Sequence, residues 1–399
     1  MKKIFAAFLL LLSFTSIAQT EKTLLWEISG NGLAKKSYLY GTMHVNEKIS
    51  YHLSDAFYKH LLEADIVSNE SNPESWEVLF DLLTNQENEN SQKLYSRFNL
   101  APLKKEALYP LFSNVNIYNT MTSGNNSEQA DFQENTVLDM FIHQTGKKYN
   151  KKVTGLEDAQ ESFLKVMKMQ NDMEEPKEEV RMALMKILKN RNFQTVSNDF
   201  YREKDIVMLD SIYKLIYSKK SHNILITERN VTMANSIDSI AKTGSLFAAV
   251  GAAHLAGKEG VLQLLIKKGY TVKPIIDVLT TVGEKQKKTI EEYFPNPVLN
   301  PFTTKDGMLK MPLFKNPRTI NEVTACIDLT NGGSVNINRL PLNYFLKKKD
   351  DTFNPKALDS LFFENIAGTI IEKKFFETEN YKGYDIKNKT KSGNAQRYR

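Results

Sequence analysis

Thr23-Leu24-Leu25-Trp26-Glu27-Ile28-Ser29 alternates apolar and polar positions with the period of a strand. Gly30-Asn31-Gly32 supplies a tight turn and Lys36 to Tyr40 reads as the partner strand, so the chain is predicted to open on a β-hairpin. A helix is predicted over 54–63 and a short strand over 65–70. Residues 73–134 read as helical and loop-rich, with polar loops at 85–91 and 123–127. Over 136–146 the helical spacing puts Val137, Leu138, Phe141 and Ile142 on one face. Lys152 to Glu157 reads as a strand ending on a carboxylate. Helices are predicted over 158–169, 177–188, 197–217 and 224–240. Leu246 to Val250 is a further strand, Val261 to Lys268 an apolar helix with Gly269 just beyond its end, and Thr271 to Ile276 the next strand.

This alternation of strands and helices predicts an α/β fold with a mixed central sheet over 19–282. The character shifts after about Val282. Lys285, Lys287 and Lys288, followed by Pro295, Pro297, Pro301 and Pro312, read as a linker over 283–318. Residues 319–399 read as a β-rich α+β region, with strands over 323–329 and 334–339 and at Tyr344-Phe345. Leu358 to Lys373 reads as a helix in which 366–371 is ambiguous. The strands after Tyr384 look like a sheet that the chain does not complete.

The ends and the composition narrow the setting. Lys2 and Lys3, the apolar run from Ile4 to Phe14 and Ser16-Ile17-Ala18 read as a secretory signal over 1–18, cleaved after Ala18. The apolar run is too short to span a bilayer, and no later stretch is a transmembrane candidate. The expected location is therefore periplasmic or secreted. The single cysteine, Cys326, forbids an intramolecular disulfide and a thiolate zinc cluster, and its strand-like context makes it a buried structural residue. Formal charge is +6; residues 1–18 hold two lysines and no acid, so without them it is +4. The lysines are scattered, with no nucleic-acid signature.

The candidate chemistry begins with a pattern that occurs twice. Gly41-Thr42-Met43-His44 and Gly251-Ala252-Ala253-His254 each follow a predicted strand. Ligands of open α/β sheets bind beyond the carboxyl ends of strands, so the two imidazoles are expected in one pocket, within roughly 10 Å of each other. Glu70 and Glu157 each end a strand, Arg229 precedes the second histidine strand, and Asp205 lies on a helical face. His44, His254, Glu70 and Glu157 make a donor set for a divalent ion, with Mn²⁺ or another hard ion as suitable as Zn²⁺. Alternatively, Glu70 or Glu157 is a general base for water and Arg229 holds a carboxylate or an oxyanion. The plain structural alternative is a buried Glu70–Arg229 ion pair with Glu157 capping a helix. His52, His60, His143 and His222 read as surface or local contacts.

Leu39-Tyr40-Gly41-Thr42-Met43-His44-Val45, Gly155-Leu156-Glu157, Glu228-Arg229-Asn230 with Met233-Ala234, and Val250 to Leu255 through Gly269-Tyr270 stand in the order of one known family. On these blocks residues 20 to about 280 resemble the TraB/GumN/PrgY family, which is similar to the Tiki metalloproteases and more distantly to erythromycin esterases and ChaN-like haem-binding proteins. The resemblance implies an α/β fold with both histidines and the glutamates facing one cleft. It also implies a Mn²⁺- or Co²⁺-dependent peptidase activity, with Zn²⁺ less suited. After Glu157 the family commonly continues with Thr, whereas this chain has Asp158-Ala159-Gln160. The expectation is thus an exported metal-dependent hydrolase with a peptide or protein substrate. The alternative is a peptide- or haem-binding protein without turnover on the same scaffold.

Overall fold

The computed structural model describes residues 22–44, 48–75, 134, 136–170, 177–315, 317–320, 323–338, 366, 368–379, 381–390, 393 and 395–399. The stretch read as a signal sequence, the polar loops read at 85–91 and 123–127, Tyr344-Phe345 and the first part of the stretch 358–373 lie outside them. The chain divides into two units. One comprises 1–85, 136–296 and 329–331, and the other comprises 86–135, 297–328 and 332–399.

The first unit is built on six strands: β1 (Leu25–Gly30), β2 (Ser37–Thr42), β3 (Ile66–Ser71), β4 (Lys152–Glu157), β5 (Leu246–Gly251) and β6 (Tyr270–Ile275). Their order is β4-β3-β5-β2-β1-β6. β1 runs antiparallel to both β2 and β6, whereas β2, β3 and β4 pair in parallel through β5 and β3. β5 lies between β3 and β2, and its sequence Leu246-Phe247-Ala248-Ala249-Val250-Gly251 is buried throughout. A continuous apolar run is what a parallel strand covered on both faces requires. The parallel strands deliver their carboxyl ends to one edge of the sheet, where both Gly-x-x-His segments begin.

The longer helices among the described residues of this unit are α1 (Asp55–Glu63), α2 (Leu138–Lys148), α3 (Ala159–Gln170), α4 (Glu178–Leu188), α5 (Phe193–Arg202), α6 (Ile206–Ile216), α7 (Glu228–Ala241), α8 (Val261–Lys267) and α9 (Thr281–Glu292). α2 packs on β3 and β4, α7 on β4 and β5, and α8 on β6. Phe57 of α1 anchors the core beneath β2 and β5, with edge-on contacts to Tyr40 and Phe247 at 4.7 and 5.4 Å.

Three sequence expectations change here. The helix read over 197–217 is two helices. Lys204 takes the left-handed conformation (φ 58°), and Asp205 caps α6 by accepting the Met208 N–H at 3.0 Å. Asp205 is thus a capping residue outside the cluster of the other candidates. The helix read over 224–240 starts with a π-turn, Asn223–Thr227, that feeds α7.

The stretch 283–318, read as a linker, contains most of α9, which docks on α1. Asp55 accepts the Thr280 and Gly283 N–H groups at 2.8 and 3.0 Å, while Asp277 accepts the Ala56 N–H at 2.5 Å, so each helix start is capped from the other segment. Ile290 is buried, and Lys148 Nζ donates to its carbonyl at 2.9 Å. α9 escaped the pattern because it is mostly polar: only Gly283 and Ile290 are buried.

The described residues of the second unit form small antiparallel sheets. β7 (Asn300–Thr303) pairs with β8 (Lys310–Leu313), β10 (Val323–Asp328) lies between β9 (Arg318–Ile320) and β11 (Gly333–Asn338), and β13 (Lys382–Lys389) lies between β12 (Thr369–Glu377) and β14 (Ala395–Tyr398). The helix read over 358–373 is corrected within its described part: Thr369, Ile370 and Ile371 are β-branched and begin β12. Cys326 is buried in β10.

Candidate functional site

Four strand ends supply the cluster. β2 runs into Met43 and His44, β3 carries Glu70, β4 ends on Glu157, and β5 ends on Gly251, one short 3₁₀ turn before His254. The two Gly-x-x-His segments pack against each other. A Cβ at Gly41 would stand 2.7 Å from Leu255 Cδ1 and 3.2 Å from Ala252. One at Gly251 would stand 3.1 Å from Glu70 Oε1, 3.3 Å from His44 Nε2 and 3.4 Å from His254 Cδ2. Gly251 has an ordinary φ of −54°, so the glycine provides room and not an unusual dihedral.

Glu70 is the hub. Its Oε1 accepts the Gly251 N–H at 2.6 Å and lies 3.7 Å from both His44 Nε2 and His254 Nε2. Its Oε2 accepts from Arg229 NH2 at 2.6 Å. Arg229 also grips Glu157, with NH2 2.7 Å and Nε 3.0 Å from Oε2. Ser162 of α3 donates to the same Oε2 at 3.1 Å. The third guanidinium nitrogen, NH1, reaches His254 Nε2 and the Leu225 carbonyl only at 3.5 Å each. The π-turn presents that carbonyl, as π-turns often do at functional sites. The structure therefore brings His44, His254, Glu70, Glu157 and Arg229 together. The Glu70–Arg229 ion pair is buried, as the structural alternative has it, and it lies inside the histidine cluster.

Each histidine is fixed from behind. His44 Nδ1 lies 3.0 Å from Asp139 Oδ2, and Asp139 Oδ1 accepts from Thr42 Oγ1 at 3.0 Å. His254 Nδ1 lies 2.7 Å from Asn230 Oδ1, and the Asn230 amide donates to the Glu259 carbonyl at 2.8 Å. With an acceptor beyond each Nδ1, each Nε2 is the nitrogen turned to the cleft. Asp139 is absent from the sequence-derived set. An acidic residue next to the apolar positions Leu138, Met140, Phe141 and Ile142 of a helix was the available signal. Asn230 stands in one of the quoted sequence blocks, but only its contact gives it a role.

The electrostatics separate the two histidines. The Asp139 carboxylate raises the His44 pKa above its ordinary value, with Glu70 adding to it. The His44 side chain is 58 % exposed, at the cleft mouth. His254 is buried, and burial lowers its pKa to about 4. Burial would raise Glu70, but the positive charge available on His254, His44 and Arg229, with the Gly251 N–H, holds its carboxyl well below the usual carboxylate range. Glu157 goes the other way: burial raises its pKa despite Arg229. Arg229 stays charged, because Glu70 and Glu157 outweigh its own burial.

Ligand atoms about 2.1 Å from a common ion stand about 3–3.6 Å apart, so two Nε2 atoms each 3.7 Å from one carboxylate oxygen are close to a divalent-ion arrangement. As they stand, no group of three or more His, Cys, Asp or Glu side chains among the described residues has a geometry that could hold a metal ion. The fit rests on His44, His254 and one oxygen of Glu70, whereas both Glu157 oxygens face Arg229.

Of the remaining histidines, His60 stacks on Tyr38 at 3.8 Å and so is not the surface residue its context suggested, while His143, read as a local contact of Asp139, is buried. Among the described residues, no helix is long and apolar enough to cross a membrane. No curated protein and no solved structure matches the chain. The sequence profile of the TraB/PrgY/gumN family matches residues 24–274, a span that holds every residue of the cluster and the central sheet except the last residue of β6. On that match the chain belongs to the TraB/PrgY/gumN family.

Proposed function

We propose that this chain is an exported, metal-dependent hydrolase that cleaves peptides. The observation that carries the reading is the meeting of His44 Nε2 and His254 Nε2 at one oxygen of Glu70, with both Nδ1 atoms backed by acceptors. These three side chains would hold the ion. The mixed nitrogen and oxygen set suits Mn²⁺ or Co²⁺ and gives Zn²⁺ no special advantage. The ion would polarise a carbonyl and lower the pKa of a water bound to it.

The chain's own groups do the rest. Arg229 NH1, the guanidinium nitrogen with no carboxylate partner, would donate to the oxyanion that develops at an attacked carbonyl. Glu157 grips Arg229 at two nitrogens and fixes the plane of the guanidinium. Glu70 balances charge between the histidines and Arg229. His44 stands where solvent and substrate would arrive. Export rests on the basic start, the apolar run and the small residues at 16–18.

The test is the metal content of the purified protein without residues 1–18, followed by digestion of a peptide library with and without chelator. Bound Mn²⁺ or Co²⁺ and cleavage that disappears with chelator are expected. A protein that binds peptide or haem without cleaving would be the capture protein of the alternative reading. Cleavage indifferent to chelator would remove the ion from the reaction.

A further inference from the structure

The two Gly-x-x-His segments differ at their second position, Thr42 in one and Ala252 in the other. The difference follows what stands behind each imidazole. Ala252 packs close to Gly41, so that a Cβ added to the glycine would stand 3.2 Å from the Ala252 Cβ. Thr42 is buried and gives its hydroxyl to Asp139 Oδ1, while Asp139 Oδ2 faces His44 Nδ1. The backbone beneath is pinned as well, because Asn69 Nδ2 donates to the Asp139 carbonyl at 2.7 Å. Thus β2 holds the buried carboxylate of Asp139 through Thr42, and β3 holds its backbone through Asn69. His254 has instead a neutral amide, Asn230, behind it.

We infer that Asp139, held by Thr42, is a positioning residue that fixes the ring of His44 with Nε2 towards Glu70 and makes His44 the stronger donor of the pair. A carboxylate accepting the Nδ1–H increases electron density at Nε2 more than an amide does, and outer partners of this kind typically change metal affinity by about 10–100-fold. The first segment therefore needs a hydroxyl at its second position and the second does not. The inference rests on His44 being a working group of the cleft, as proposed above.

The test uses the chain without residues 1–18 and four variants: Asp139→Asn, Asp139→Ala, Thr42→Val and Thr42→Ser. Co²⁺ is the probe, followed by its visible spectrum and by titration. Asp139→Ala and Thr42→Val should bind Co²⁺ about 10–100-fold more weakly with an altered visible band. Thr42→Ser should restore both, and Asp139→Asn should fall between. In parallel, ¹⁵N-histidine NMR of the protein without metal should show a hydrogen-bonded His44 Nδ1–H that is lost in Asp139→Ala.

That resonance separates the two ideas. If the parent protein binds no Co²⁺ yet shows the Asp139-dependent proton, the metal reading fails and the positioning role stands. Its absence in the folded parent protein overturns the positioning role. So do Thr42→Val and Asp139→Ala variants that melt normally and keep the parent Co²⁺ affinity and spectrum. Thr42→Val covers the case in which the Asp139 variants do not fold.

Discussion

Arg229 holds Glu157 through two nitrogens, Nε and NH2, at 3.0 and 2.7 Å from one oxygen, while the same NH2 bonds Glu70. An ammonium cannot reproduce that fork. Arg229→Lys is therefore expected to lower hydrolysis about 100-fold, in the range found for losing one oxyanion donor. Arg229→Ala removes the cation from two buried carboxylates and should cost about 3–5 kcal/mol of stability. Glu157→Gln should lose the activity and keep the fold, because burial already disfavours the charge on Glu157. Activity assays beside thermal melts check all three. Full activity of Glu157→Gln would remove that carboxylate from the mechanism.

Gly251→Ala tests whether space at the end of β5 assembles the cluster. The backbone there accepts alanine, but the new methyl would stand 3.1 Å from Glu70 Oε1 and 3.3 Å from His44 Nε2. The expected result is loss of Co²⁺ binding and activity with a small change in melting temperature. Unchanged Co²⁺ affinity would mean that Glu70 and His44 can separate without consequence.

His143 should make stability depend on pH. It is 2 % exposed, its Nε2 has no hydrogen-bond partner among the described residues, and burial lowers its pKa from 6.5 to about 4. An imidazole with a depressed folded pKa takes up a proton on unfolding. Its contribution is complete above about pH 6.5 and is lost as the pH falls towards 4, by up to about 3 kcal/mol. His143→Leu should flatten the denaturation midpoint between pH 6.5 and 4 relative to the parent. Identical slopes for the two proteins would refute the assignment.

Truncation distinguishes two boundaries. Ending the chain near Glu284 removes Ile290, the carbonyl that Lys148 caps, and the Tyr149–Tyr293 ring contact at 5.4 Å. That protein should unfold well below one ending at Asn296, in denaturant melts of both. Equal midpoints would show that α9 contributes nothing to the first unit.

The histidines were legible because their signal is local: four residues, a glycine and a strand end. Glu157 and Arg229 were legible for a similar reason, as a charged residue at a strand end and one on the helix before β5. Asp139 was not, because its role is created by a contact across 95 positions. The break at Lys204 was hidden because an isolated left-handed lysine carries no compositional mark. α9 was hidden because a helix tied down by caps and one buried isoleucine has almost no apolar period to read.

The placement of β5 also sets an order in time. Leu246 is hydrogen-bonded to Ser37 across 209 positions, and β5 is the strand that fills the gap between β2 and β3. Until it arrives, those two strands have no common neighbour, and Glu70 and His44 have no Gly251 to meet over. Pairings between residues so distant in sequence form slowly, because a long loop must close first. A growing chain therefore carries His44 as an unassembled residue until β5 has been made. The same insertion that joins β2 to β3 brings Gly251 to Glu70 and His44, so the parallel part of the sheet and the cluster form together.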